Sequence, residues 1–188
     1  MRRAPLLVPV LLAAGVASCD STKPANPLTE RETVALLHEI YELFEDEVGG
    51  SSTVDCSVGG EATVTPRIID EGETADSVWF EGRATIAPTD CEVDVLGDTL
   101  TLDGEPNVEY TAESWSVYDD FEFVKGELTL VFGGAVTWRR RGGDTDTCSV
   151  DLTLESTEFD EYGDLEGYFR GRMCDLDLVI DPDELFDF

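Results

Sequence analysis

The sequence is poor in positive charge. Its 188 residues include 12 lysines and arginines against 42 aspartates and glutamates, so the net charge is −30 at pH 7. Only Lys23 and Lys125 are lysines. A nucleic-acid-binding protein needs basic side chains that neutralise phosphates, so this composition predicts no nucleic-acid partner. An anionic membrane surface should also repel the chain.

Histidine is nearly absent as well. His38 is the single histidine, and it lies in a predicted helix beside an apolar stripe, which favours a structural role. No serine occupies a Gly-x-Ser-x-Gly elbow, and no glycine-rich loop has the setting of a phosphate-binding motif. Nucleophilic catalysis needs a nucleophile, a base and a group that orients the base. We therefore predict that the protein is not an enzyme, and a carboxylate-based hydrolase is the weaker alternative.

Long hydrophobic runs are missing too. The apolar stretch at residues 6–16 is shorter than the roughly 20 residues that a transmembrane helix needs. Arg2 and Arg3 precede this stretch, and the small residues Val16-Ala17-Ser18 end it. This order is typical of a secretory signal peptide, which we assign to residues 1–18.

A cysteine follows the signal peptide directly. The stretch Val16-Ala17-Ser18-Cys19 resembles the lipobox of bacterial lipoproteins. The resemblance, which covers residues 1–19, implies that the thiol of Cys19 receives a diacylglycerol and that a peptidase cuts just before it. The acyl chains would then anchor the protein in the cell envelope. Asp20 resembles the enterobacterial inner-membrane retention signal, which implies the periplasmic face of that membrane, with the outer membrane or cell surface as alternatives.

The abundant acids have two competing explanations. They are spread along the chain, which favours a solvated surface that resists aggregation or tolerates salt. The alternative is calcium, which takes six to eight oxygen ligands. No stretch matches an EF-hand loop, so we predict no cofactor and keep calcium as the weak alternative. Three short acidic clusters could contribute ligands: Asp144 and Asp146, Asp175 and Asp177, and Asp181 and Asp183.

The other cysteines predict two disulfides, because an even number in an exported chain is typical of a disulfide framework. These cysteines are Cys56, Cys91, Cys148 and Cys174. The first two are symmetric about a turn signal near 71–74, and the last two about a turn signal near 158–163. Residues equidistant from a turn face each other in an antiparallel pair. We therefore predict Cys56–Cys91 and Cys148–Cys174. The usual close Cys-x-x-Cys spacing of a zinc site is absent.

A single helix is predicted at 30–48. The stretch Thr29-x-x-Glu32 has the form of a capping box, apolar residues follow at spacings of three and four, and Gly49-Gly50 ends the pattern. Residues 19–27 are polar and carry two prolines, so we assign them as the lipidated tether. Residues 28–188 then form one domain.

Antiparallel strands are predicted after residue 52, where the apolar pattern changes to a period of two. The resulting fold class is α+β. We expect an N-terminal helix packed on an antiparallel meander of about eight to ten strands, curled as an open barrel or sandwich. The turn signals are Gly59-Gly60, Leu96-Gly97-Asp98, Asp103-Gly104, Lys125-Gly126, Gly133-Gly134 and Gly142-Gly143-Asp144.

Two further groups of residues have alternative interpretations. We expect Arg139-Arg140-Arg141, the one basic run, to pair with surrounding acids, although it could dock an anion. Outward tryptophans would indicate a carbohydrate or partner contact. Trp79 is out of phase with its apolar neighbours, so it faces either solvent or a covering helix. The other tryptophans are Trp115 and Trp138.

Together these patterns predict an envelope-anchored lipoprotein with a non-catalytic binding or structural role. The membrane is a partner through the N-terminal lipid, and a protein or a small molecule remains open as a further partner. The alternative function is a carrier that holds a small apolar ligand inside the curled sheet.

Overall fold

The fold comes from a computed structural model. It describes residues 26–45, 51–104, 107–120, 122–159 and 167–186. The predicted signal peptide, Cys19, Asp20 and most of the predicted tether lie outside the described residues, as does most of the turn signal at 158–163.

Helix α1 is Glu30–Glu45 and precedes every strand. The capping box is confirmed: Thr29 N donates to Glu32 Oε2 at 2.7 Å, and Glu32 N donates to Thr29 Oγ1 at 3.4 Å. The last predicted positions, 46–48, lie outside the described residues. The prediction that this helix is N-terminal is wrong. It is the first element of the described fold, but the chain runs about thirty residues before it begins.

In the part of the chain that the structure describes, nine strands follow α1, within the range predicted from the sequence. They are β1 Ser52–Asp55, β2 Gly59–Glu73, β3 Ser77–Val95, β4 Asp98–Asp103, β5 Val108–Asp119, β6 Glu122–Arg140, β7 Thr145–Phe159, β8 Phe169–Met173 and β9 Leu176–Ile180. A short helix, α2 (Pro182–Phe186), closes the described chain.

All nine strands form one antiparallel sheet in the order β1-β2-β3-β4-β6-β7-β8-β9. Strand β5 also lies between β3 and β6, in line with β4. Strands β3 and β6 are 19 residues long, so each can pair with both shorter strands. The sheet is therefore a meander in which β4 and β5 together fill one position.

Two predicted turns in β6 are wrong. Lys125-Gly126 and Gly133-Gly134 lie inside this strand, which continues past both pairs. Gly134 marks the point where the partner of β6 changes from β5 to β4. Its φ of +101° favours glycine, and a Cβ there would lie 2.2 Å from the carbonyl oxygen of Asn107. The glycine therefore permits a close backbone approach rather than a hairpin.

The sheet curls around α1 but is not a closed barrel. Among the described residues, the edge strands β1 and β9 do not pair with each other. Helix α1 contacts β2 and β3 on one side and β9 and α2 on the other. The largest fully buried side chains fill the space between helix and sheet: Trp138, Phe132, Phe169, Leu36, Leu37, Ile40, Ile86, Leu100, Leu102, Leu152, Leu154 and Met173.

Both disulfides join the cysteines in the predicted pairs. Cys56–Cys91 has a Cα–Cα distance of 5.6 Å, and Cys148–Cys174 has one of 4.2 Å. Disulfides persist in oxidising surroundings, so they indicate a non-cytoplasmic compartment. No helix in the described ranges is long and apolar enough to cross a membrane.

Candidate functional site

The candidate site lies where the long strands extend past the core. We call this region the sheet extension: residues 65–73, 77–85, 109–119 and 122–129. Only Gly82 and Gly126 are buried there, whereas the neighbouring parts of the same strands alternate between buried and exposed positions. Both faces of the sheet extension are therefore accessible, at least within the described residues.

Exposed large apolar side chains concentrate in the sheet extension. They are Ile68, Ile69, Val78, Phe80, Trp115 and Val124, which are 37–58% exposed. An exposed apolar group that gains nothing from the core often belongs to an interaction surface. The sheet extension therefore differs from the helix-covered half, whose apolar side chains are mostly buried.

Trp79 lies flat against the outer face, opposite to the face that packs on α1. Gly72 pairs with it on β2, and a Cβ at Gly72 would lie 2.2 Å from the indole ring. The missing side chain makes room for the ring, and Trp79 Nε1 donates to Asp70 Oδ2 at 3.2 Å. Of the two orientations left open by the sequence, the structure therefore shows the outward one, with the indole hydrogen-bonded to Asp70.

Trp115 lies directly opposite Trp79 on β5. It is 38% exposed, and Lys125 Nζ lies 4.9 Å from the centroid of its ring. The same ammonium is 3.5 Å from Glu127 Oε1. Trp138, by contrast, is 2% exposed and belongs to the core. Two of the three tryptophans thus form an outward pair across neighbouring strands.

A row of carboxylates runs beside the tryptophan pair on the outer face. Asp70 pairs with Glu81, and Glu81 pairs with Glu113, so three acids lie side by side on β2, β3 and β5. Together with Trp79, Trp115 and neighbours on β6 they line an open cleft of about 250 Å³. We call Asp70, Glu81 and Glu113 the acid row. The acid row is not predictable from the sequence, because the register that aligns the three strands is not visible there.

The inner face of the sheet extension carries an aromatic residue as well. The ring of Phe80 lies over Gly82, where an added Cβ would be 2.5 Å from it. Phe80 is 37% exposed, and it shares this face with Val78. Glycine again lets a ring rest on the backbone, a known way to stabilise a strand glycine.

Two arginines of the basic run, Arg139 and Arg140, pair with acids, as expected. Arg140 forms an ion pair with Glu32 on α1, and both side chains are largely buried, at 13% and 16% exposure. Arg139 lies 3.9 Å from Asp90 on the surface. Burial alone would raise the pKa of Glu32, but hydrogen bonds from Thr29 and the charge of Arg140 outweigh burial and lower it. The run thus connects the helix to the sheet.

The single histidine connects the two helices. His38 Nδ1 donates to the carbonyl oxygen of Leu185 at 2.7 Å, and its Nε2 is 3.9 Å from Glu42 on the next turn. Next to it on α1, Glu39 accepts a hydrogen bond from Ser57. Burial raises the pKa of Glu39, although the Ser57 hydrogen bond and His38 offset part of this effect. These contacts connect α1 to its neighbours and lie apart from the tryptophan cleft.

The Asp-x-Asp clusters are engaged in local turns and ion pairs. Asp181 Oδ1 accepts from Asp183 N at the start of α2, at 3.1 Å, and Asp177 pairs with Arg172 at 3.3 Å. Across the residues that the structure describes, no group of three or more histidine, cysteine or acidic side chains is arranged to hold a metal ion.

Comparison with known proteins gives no relative. No protein-family model, no curated protein and no solved structure matches the chain. The function therefore has to be argued from the geometry of the chain itself.

Proposed function

We propose that this protein is a lipid-anchored, non-catalytic binding protein of the bacterial cell envelope, and that the sheet extension is its binding surface. The observation that carries this proposal is the outward pair Trp79 and Trp115 in an open cleft. Aromatic side chains supply much of the energy at binding surfaces, because they bury a large area at a small entropic cost.

The division of the sheet supports a binding role. The helix-covered half has a filled core with two disulfides, which makes it a rigid base. The other half contributes little buried surface to the fold, yet two glycines hold Trp79 and Phe80 in fixed positions. Preorganised side chains lose less entropy when a ligand binds.

The anchor is proposed from the resemblance of residues 16–19 to a lipobox, and the two disulfides agree with export. Acyl chains on Cys19 would hold the domain at the membrane despite the net charge of −30, which an anionic surface repels. The apolar-ligand carrier is less well supported, because large side chains fill the space between α1 and the sheet.

Anchoring is tested by expressing the full chain in a bacterial host with a clickable palmitate analogue. We expect label on the membrane-bound protein, and no label on the Cys19→Ser variant. A wild-type chain that is exported, soluble and unlabelled would contradict the anchor and leave the binding surface to be tested separately.

Binding is tested by tryptophan fluorescence titration of the purified, disulfide-intact protein. The probes are an arginine-rich peptide, an acidic peptide, chitohexaose and dodecylphosphocholine micelles. We expect at least one probe to bind saturably, and Trp115→Ala to weaken it about tenfold or more, as expected for an aromatic anchor. The matched control is Tyr168→Ala, since Tyr168 is an exposed aromatic residue, at 48%, just before β8. If no probe binds, or if Trp115→Ala binds as tightly as the wild type, the proposed function fails.

A further inference from the structure

The acid row brings three like charges together on adjacent strands. Asp70, Glu81 and Glu113 lie directly opposite one another on adjacent strands, a placement that destabilises a sheet. No ion pair of Glu81 or Glu113 is found in the described part of the chain. Arg83, two residues along β3 from Glu81, is instead 3.9 Å from Glu109. A positive group bound at the row would relieve this repulsion.

The tryptophan next to the acid row already holds an ammonium group. Lys125 Nζ lies 4.9 Å from the Trp115 ring centroid, within the range of a cation–π interaction. Its second contact is Glu127, another carboxylate that lines the cleft. Lys125 thus shows, within the chain itself, that an aromatic face and a carboxylate can bind a cation here together.

The shape of the surface favours a side chain of a protein over a small molecule. Sites for small ligands are usually concave enough to bury most of the ligand, whereas this cleft lies open on a sheet face. Trp79 and Trp115 present apolar ring surface beside the acid row on the same face of the sheet. A protein segment can cover both rings, and a neutral sugar would leave the acid row without a counter-charge.

We propose that the sheet extension docks a basic segment of a partner protein, with a lysine or arginine side chain bound against Trp115 and the acid row. This inference rests on the proposed function and names the partner chemistry of the same cleft. The net charge of −30 speeds the encounter, because it attracts positive segments over the range that salt allows. Lys125 is then an internal competitor that the incoming side chain displaces from the Trp115 ring.

The test is a titration of the purified, disulfide-intact protein with a peptide of repeated Arg-Gly-Ser and with its neutral citrulline analogue. We expect the arginine peptide to bind and the citrulline peptide to bind at least about tenfold more weakly, since two exposed charge pairs account for a difference of that size. Raising the sodium chloride concentration should weaken binding of the arginine peptide, whereas binding of the uncharged chitohexaose should not depend on salt.

The decisive variants change charge without changing shape. Glu81→Gln with Glu113→Gln should weaken the arginine peptide about tenfold. The matched control is Glu61→Gln with Glu92→Gln, which removes two exposed acids from the other end of β2 and β3. We expect this control to leave binding nearly unchanged, because its carboxylates lie outside the cleft. Lys125→Met should strengthen binding by removing the internal competitor.

Two results would overturn the inference. One is equal binding of the arginine peptide to the acid-row variant and to its matched control, which would mean that only net charge matters. The other is binding of chitohexaose or micelles, but not of the arginine peptide, at Trp115. In that second case the proposed binding function stands and only the basic partner is wrong. Near-ultraviolet circular dichroism verifies that each variant is folded.

Discussion

Two carboxylates on α1 have pKa values that shift in opposite directions. Glu32 has Thr29 and Arg140 as partners, and its pKa is lowered although burial opposes this. Glu39, about two turns further along α1, has Ser57 as its hydrogen-bond donor, and burial raises its pKa. The difference arises because a buried carboxylate is stabilised only when cations or several donors replace the water it has lost.

Glu39→Gln should stabilise the fold at neutral pH. Because the folded-state pKa of Glu39 is raised above its ordinary value of 4.5, its contribution to stability is fully present below that value. The contribution is lost as pH rises through the folded-state pKa. The neutral amide of the variant carries no charge to desolvate, so this loss of stability does not occur. Its oxygen can still accept the hydrogen bond from Ser57. We expect a higher Tm than the wild type at pH 7 and no difference below about pH 4, measured by thermal unfolding monitored by circular dichroism.

The matched control for this prediction is Glu61→Gln on β2, where the side chain is exposed. Substitution of an exposed side chain that lies away from the core and from buried polar contacts changes the free energy of unfolding little. A Glu39→Gln variant that unfolds below the wild-type Tm at pH 7 would mean that the charge of Glu39 stabilises the fold.

At the scale of elements, the two disulfides fix the places where short strands join long ones. Cys56–Cys91 ties the connection between β1 and β2 to β3, and Cys148–Cys174 ties β7 to the turn between β8 and β9. Strands β1, β8 and β9 are the outer strands of the sheet, and each of their ladders pairs only four or five residues. Short ladders alone give little stability, so covalent links compensate.

Removing either disulfide should cost about 2–4 kcal/mol of unfolding free energy, since each bridge restricts the unfolded chain. The variants are Cys56→Ala with Cys91→Ala, and Cys148→Ala with Cys174→Ala, compared by urea unfolding. As a control, reduction of the wild type should lower stability further than either double variant does. If the unfolding free energy of a double variant is within about 0.5 kcal/mol of the wild-type value, the strand pairing at that site is stable without its disulfide.

For the whole molecule, repulsion among the acidic side chains destabilises the folded state. The described ion pairs engage only a few of the 42 acids, and apart from Arg140–Glu32 and His38–Glu42 both side chains of each pair are at least half exposed. Exposed pairs contribute little, so most of the repulsion between acids remains. The fold tolerates it because most of the described acidic side chains are exposed, where water and salt screen their charges.

Sodium chloride should therefore raise the Tm steadily, because salt screens repulsion between surface charges. A gain of about 1 kcal/mol in the free energy of unfolding raises the Tm of a chain of this size by roughly 2–4 °C. The measurement is a thermal melt from low salt to 1 M salt, followed by calcium added at constant ionic strength. A Tm that stays flat in sodium chloride but jumps in calcium would contradict general repulsion and indicate a specific cation site.

The sequence by itself determined the features that depend on neighbours along the chain. The capping box at Thr29 and Glu32 placed the start of α1, alternation of apolar and polar residues indicated an antiparallel sheet, and symmetry about turns paired the cysteines. Each of these signals is local or follows from one hairpin, so no knowledge of distant contacts was needed. The predicted signal peptide and lipidation of Cys19 also come from the sequence alone and remain predictions.

Only the tertiary structure decided which residues meet across strands. The glycines in β6 looked like turns, but pairing with β4, β5 and β7 carries the strand straight through them. The alignment of Asp70, Glu81 and Glu113 depends on the register of three strands and on a bulge between Ile68 and Asp70. A shift of one residue would send these side chains to the opposite face. The cleft beside Trp79 and Trp115 therefore exists because of pairing, which long-range contacts set.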